Sequence, residues 1–168
     1  MRERWSETRT AWLLCGIVIG LAIALYWPNE PAMADVVDRS EKFAICTCRT
    51  QAGSSDAVFV LDFLTGRLVG GAYQAQTRGF QTYARNIAGD FQIDAGTPAQ
   101  YTMAPAFIEV RAGGTAAGGG TPANGAIYVG EMNSGRVILY GFMYRASGRP
   151  GPPIELTPLA TFPFREAL

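Results

Sequence analysis

Histidine is absent from the chain, lysine occurs once, as Lys42, and cysteine three times. Without histidine the commonest general base is gone, and with it the Ser-His-Asp and Cys-His nucleophile arrangements and most zinc sites. One lysine leaves a single candidate for Schiff-base chemistry and none for a phosphate loop. No excess of either charge exists: 14 Lys and Arg balance 14 Asp and Glu. A nucleic-acid binder normally carries a basic surplus, so no nucleic-acid partner is expected. Charged residues make up only 17% and apolar residues 48%, too hydrophobic a balance for a chain disordered throughout. With 168 residues there is material for one modest domain. No cofactor, metal site or catalytic residue is expected.

What is present begins with an uncharged run over residues 11–27, AWLLCGIVIGLAIALYW. As a helix it spans roughly 25 Å, near the lower limit for crossing a bilayer. Trp12, Tyr26 and Trp27 stand near its ends, where amphipathic rings favour the interface, and Pro28 closes it. Residues 1–10 carry Arg2, Arg4 and Arg9, which keeps this segment cytoplasmic by the positive-inside rule and places the bulk of the chain outside. The expectation is a single-pass anchor in a bacterial inner membrane. The alternative is a cleaved signal peptide ending at Ala34, since Ala32-Met33-Ala34 has the small-x-small pattern of a cleavage site. Gly16, Gly20 and Ala24 recur every fourth residue and share one helix face, so two such helices can approach closely and dimerise. Residues 28–42 read as a linker and 43–168 as an extracytoplasmic β-rich domain.

The domain contains one grammar twice. AVFVLDFLTGRLV (residues 57–69) aligns without gaps with AIYVGEMNSGRVI (residues 126–138). Each has an apolar run, an acid, two variable residues, Ser/Thr-Gly-Arg and a second apolar run. That is a β-hairpin pattern: glycine takes the positive-φ turn position and the hydroxyl bonds local backbone. Asp62, Thr65, Gly66 and Arg67 build the first turn; Glu131, Ser134, Gly135 and Arg136 build the second. The acid and the arginine face each other across the turn, so an ion pair is expected in each. This piece resembles the strand-turn-strand element of quinoprotein-like β-propeller blades. A propeller needs at least four blades, so one chain of this length falls short, and a duplicated hairpin in a small sheet is the primary reading. A propeller fragment completed by oligomerisation is the alternative. The whole chain resembles short, N-terminally anchored bacterial envelope proteins, and that resemblance brings no catalytic residue with it.

Between the hairpins, Phe80, Tyr83, Ile87 and Phe91 recur at spacings of three and four, which predicts a short helix over residues 83–88 covering the sheet. Asp90 and Asp94, just beyond it, read as solvated loop carboxylates. The fold class expected is therefore mainly β or α+β: an antiparallel sheet domain with a duplicated hairpin and one short helix, behind a transmembrane segment. Strands are also expected over 43–48, 101–103 and 106–110, with a break at Pro105. RAGGTAAGGGTPANG (111–125) reads as a flexible loop, and the tail after Ser147-Pro153 as an extended segment docked on the domain or a partner. Cys46 and Cys48 share a strand face with Ala44. A bridge between positions two apart in a strand is strained, so they are read first as buried structural thiols and second as a redox or soft-metal pair. The leading function is a non-enzymatic, membrane-tethered envelope module acting by protein association, as a homodimer or with an envelope partner. The alternatives are a periplasmic ligand-binding module using sheet aromatics, and a carboxylate or thiol enzyme.

Overall fold

A computed structural model of the chain describes residues 12–22, 37–51, 54–93, 98–108, 120–145 and 151–165. The chain divides into two compact units, Met1–Ala34 and Asp35–Leu168. In the first, residues 12–22 form a helix whose apolar side chains, from Trp12 to Leu21, are exposed. Among the described residues no helix is long and apolar enough to cross a membrane. Position 11 and positions 23–27 of the expected span lie outside the described residues.

The second unit is built of strands. They are β1 (Val37–Arg39), β2 (Phe43–Cys48), β3 (Ala57–Asp62), β4 (Arg67–Gln74), β5 (Gly79–Asn86), β6 (Tyr101–Phe107), β7 (Thr121–Glu131), β8 (Arg136–Tyr144), β9 (Ile154–Glu155) and β10 (Thr157–Pro163). One sheet runs β1-β2-β3-β4-β5-β9 and the other β10-β8-β7-β6. Every pairing is antiparallel except β5 with β9. The mainly β expectation stands.

Local chemistry explains the strands. β2 and β3 alternate strictly between buried and half-exposed or exposed positions, with period two. β5 replaces the expected helix over 83–88, and its reason lies in that same period. Gln81 and Tyr83 face inward while Phe80 and Thr82 face outward. The three-and-four spacing arises because Ile87 and Phe91 are also buried, but in the turns after the strand rather than on a helix. Two inward glutamines, Gln74 and Gln81, hide the alternation by placing polar residues at core positions. The sheet also begins upstream of residue 43, since β1 pairs with β2. Residues 121–125, expected in a loop, belong to β7, which carries an irregularity between Pro122 and Ala126. Pro105 does not break β6, because β6 is an edge strand and proline's missing N–H costs little there. The tail docks as expected: β10 lies antiparallel to β8 as the other edge, with Pro158 and Pro163 in it.

The duplication extends well beyond the hairpin. β2-β3-β4-β5 and β6-β7-β8-β10 are both four-stranded antiparallel meanders, here repeat 1 and repeat 2. Their registers match: Phe43, Asp62, Arg67 and Asn86 lie across from one another in repeat 1, as do Tyr101, Glu131, Arg136 and Pro163 in repeat 2. Even loop hydrogen bonds recur. The Phe63 amide donates to Lys42 O at 2.9 Å and the Met132 amide to Gln100 O at 3.0 Å; the Ile87 amide donates to Gly66 O at 2.9 Å and the Phe164 amide to Gly135 O at 2.8 Å.

The repeats bury opposite faces. In repeat 1 the face bearing Ala57, Phe59 and Leu61 is inside; call it the front. In repeat 2 the matching front position, Tyr128, is 40% exposed, and the back face bearing Ile127 and Val129 is inside. The same reversal holds one strand on, where Leu68 and Ala72 are buried in repeat 1 but Ile138, Tyr140 and Phe142 in repeat 2. The core is thus a front packed on a back. The front sets the small side chains Ala44, Cys46, Ala57 and Ala72 around the large ones Phe59, Leu61, Leu68 and Tyr83, and the back supplies Ile138, Tyr140 and Phe142. Phe59 meets Phe142 at 4.9 Å between ring centroids and Tyr83 at 5.7 Å. Fully burying each large apolar side chain contributes roughly 1.5–3 kcal/mol.

Candidate functional site

The two hairpin turns are alike in backbone. Gly66 and Gly135 both have φ +64, and an added Cβ would come within 2.9 Å of Ala88 Cβ in one and 2.7 Å of Arg165 Cβ in the other. The acids do not pair with the arginines as expected. Among the described residues no ion pair joins Asp62 to Arg67 or Glu131 to Arg136; those present belong to Arg85. Each acid instead accepts hydrogen bonds from its own turn. Asp62 Oδ1 accepts the Leu64 amide at 2.9 Å and Oδ2 accepts the Thr65 hydroxyl at 2.6 Å. Those bonds, the Thr65 hydroxyl foremost, hold the carboxyl below the ordinary aspartate range. Glu131, one methylene longer, reaches the Ser134 amide with Oε2 and the Gln100 amide with Oε1 at 3.1 Å. Its side chain is fully buried. Desolvation pushes its carboxyl up, and the amides of Ser134, Gln100 and Asn133 together bring it below the usual glutamate value. Both acids are turn acceptors, and both arginines stay at the surface.

Cys46 and Cys48 are buried with Ala44 on the front of repeat 1, with sulfurs 3.9 Å apart and unbridged. Cys48 Sγ donates to Ala126 O at 3.3 Å. Among the described residues no three His, Cys, Asp or Glu side chains gather as a metal site. Gly16 and Gly20 sit on the N-terminal helix with open space around them, and Ala24 lies outside the described residues.

Two polar clusters tie the repeats together, and neither is visible in the sequence. Arg85 of β5 grips Asp90 in a two-pronged pair, Nε to Oδ2 at 2.7 Å and Nη2 to Oδ1 at 2.8 Å. Its Nη1 donates to Glu155 Oε1 at 2.7 Å and to Leu156 O at 3.0 Å. The Tyr140 hydroxyl, arriving from β8, donates to Asp90 Oδ2 at 2.8 Å. Arg85 draws the Asp90 carboxyl down, while burial beside that carboxylate pushes the Tyr140 phenol up. Asp90 is therefore a clamped carboxylate and not the solvated loop acid expected; Tyr140 and Glu155, which complete its surroundings, are distant in sequence. Asp94 lies outside the described residues. In the second cluster Gln81 Nε2 and Tyr83 OH both donate to Met143 O, at 3.0 and 3.1 Å, and Gln74 Nε2 donates to Arg145 O at 2.9 Å.

Near the first turn lies an open cleft of about 870 Å³, lined by Phe63, Thr65, Ala88, Gln100, Tyr101 and Met132, among others. The remaining candidate surface consists of the two outward sheet faces. On the back of repeat 1, Ile45, Val60, Val69 and Ala84 pair across the four strands in one apolar row, beside the exposed aromatic pair Tyr73 and Phe80. On the front of repeat 2, Ala104, Tyr128, Leu139 and Ala160 form the matching row, flanked by exposed Phe162 and by Leu159, which folds over Gly141. No charged residue stands in either four-strand row; on the first face Asp38, Asp62 and Arg67 lie around the row. Such apolar, aromatic-bearing rows are suited to covering by another protein surface.

No protein-family model matches the chain, and neither a curated protein nor a solved structure matches it.

Proposed function

We propose that the chain is a membrane-tethered envelope module that acts by protein association rather than by catalysis. Residues 11–27 hold it in a bacterial inner membrane with residues 1–10 in the cytoplasm, and the sheet domain works on the outer side. One observation carries the association: each sheet packs one face within the domain and presents on its other face an apolar row, free of charge over four strands and accompanied by exposed aromatics. A tether supports this, because confinement to a membrane raises the effective concentration at which weak faces meet. Crosslinking and size-exclusion chromatography of the full-length protein test it. The expected result is an assembly larger than one chain or a co-purifying envelope protein; a strict monomer with no partner contradicts it. Protease protection of the sheet domain in intact cells, lost when the outer compartment is opened, checks the orientation.

The turn-end cleft favours a second reading, a small-ligand site using Tyr101 and Phe63. A thermal-shift screen with sugars, metals and cofactors decides it: stabilisation by a ligand that Thr102→Trp abolishes supports the reading, and a uniformly flat screen removes it.

A further inference from the structure

The inner interface supplies a template for the outer faces. Within the chain, the front row Cys46, Phe59, Gly70 and Tyr83 of repeat 1 is buried in the same core as the back row Met103, Val129 and Ile138 of repeat 2. The faces left open are the other two of the same kinds: the back of repeat 1 and the front of repeat 2. The four rows occupy corresponding register positions, because the two meanders share their turns and strand order.

We infer that the domain self-associates head to tail, the outward front of repeat 2 in one copy seating on the outward back of repeat 1 in the next. This rests on the association reading above and names its partner as a second copy of this chain. Two observations single out that occupant. The aromatic contact has an outer counterpart, since Phe59 corresponds to Tyr128 and Phe142 to Tyr73, and both tyrosines are exposed. Both open rows lack charge over their four strands, with Asp38 of β1 at the rim beside Ile45, as an apolar interface core with a polar rim requires. A front-on-back contact between copies is heterologous, so it closes into a ring where the rotation returns to its start and otherwise extends as a stack. Two copies supply four meanders, the smallest number with which radial propellers close.

Two single-face variants test the mode in the full-length chain in detergent. Gly16→Leu and Gly20→Leu are present in every sample to remove helix-mediated pairing. Leu139→Arg spoils the front and Val69→Arg the back. The expected result is an assembled parent, a single-chain mass for each variant alone, and a one-to-one dimer when the two are mixed, because one good front still meets one good back. Tyr128→Arg and Val60→Arg form a second pair at outward positions, and an unchanged near-ultraviolet circular dichroism spectrum verifies their fold. If the parent is monomeric, this inference is overturned, and the association reading falls with it where no envelope protein co-purifies. If the parent assembles and both variants assemble equally well, association stands and the head-to-tail faces are overturned. If only Leu139→Arg disrupts and mixing rescues nothing, the contact is front to front and the inference is wrong.

Discussion

Phe59 points into the molecule and Tyr128, its match in the second hairpin, points out of it, although the two stand at the same place in closely matching hairpin patterns. Repeat 1 and repeat 2 agree in strand order, register, turn glycine and the hydrogen bonds that close their fourth strands. They differ in which face is buried. The difference teaches that backbone and turn chemistry define the meander, while the side chains on each face decide how meanders stack. The front of repeat 1 brings Phe59 and Tyr83 against Phe142 from the back of repeat 2. A twofold-related sandwich would bury like faces and close on itself; a front-on-back pair leaves one face of each kind open.

The largest expected effect breaks the comparison at its centre. Phe59→Ala removes a fully buried ring from the inner interface and should cost about 3–5 kcal/mol of unfolding free energy, read by denaturant titration. Tyr128→Ala, the matching change, should cost well under about 1 kcal/mol in dilute monomer. Equal costs would mean that the two faces are not distinct.

Next comes the feature that repeat 1 has and repeat 2 lacks. Phe162 stands at the register position of Arg85, so only repeat 1 carries the clamp to Asp90 and Tyr140. Asp90→Asn should destabilise by on the order of 2 kcal/mol at neutral pH, since Arg85 and Asp90 are only 17% and 21% exposed. The folded carboxyl titrates below the ordinary aspartate range, so its contribution is complete above that ordinary value. It is lost as pH falls through the depressed one. Stability measured from pH 7 down to pH 2 should therefore decline less in Asp90→Asn than in the parent.

Smaller effects sharpen the likeness of the turns. Gly66→Ala and Gly135→Ala each place a Cβ at positive φ and against a neighbouring side chain, and each should lower stability by about 1–2 kcal/mol. Gly89→Ala, where an added Cβ meets nothing within 4 Å, should not, and calorimetry separates the three. Smallest of all is Arg67→Ala: with no ion pair to Asp62 it should shift stability by less than about 0.5 kcal/mol.

The hairpins were legible because a two-strand turn needs a positive-φ residue and an acceptor for its amides, and Gly66 with Asp62 and Gly135 with Glu131 announce both. The rest of the duplication was not. Reversed burial puts Phe59 at the register position of Tyr128 and Gly70 at that of Leu139, so the pattern of large and small residues in one repeat does not recur in the other. β5 was hidden by its inward Gln81, which the carbonyl oxygen of Met143 satisfies from the other sheet. The polar clamp was equally invisible, because Arg85 and Asp90 find Tyr140 and Glu155 only once the tail has folded back.

The most direct measurement is site-specific crosslinking between copies in a Cys15→Ser background. Tyr73→Cys and Tyr128→Cys variants are mixed and treated with a thiol crosslinker spanning about 10 Å, the usual spacing of packed sheets. The account predicts crosslinked dimers in the mixture and almost none in either variant alone. Dimers forming as readily within a single variant, with none joining the Tyr73→Cys chain to the Tyr128→Cys chain in the mixture, would contradict it.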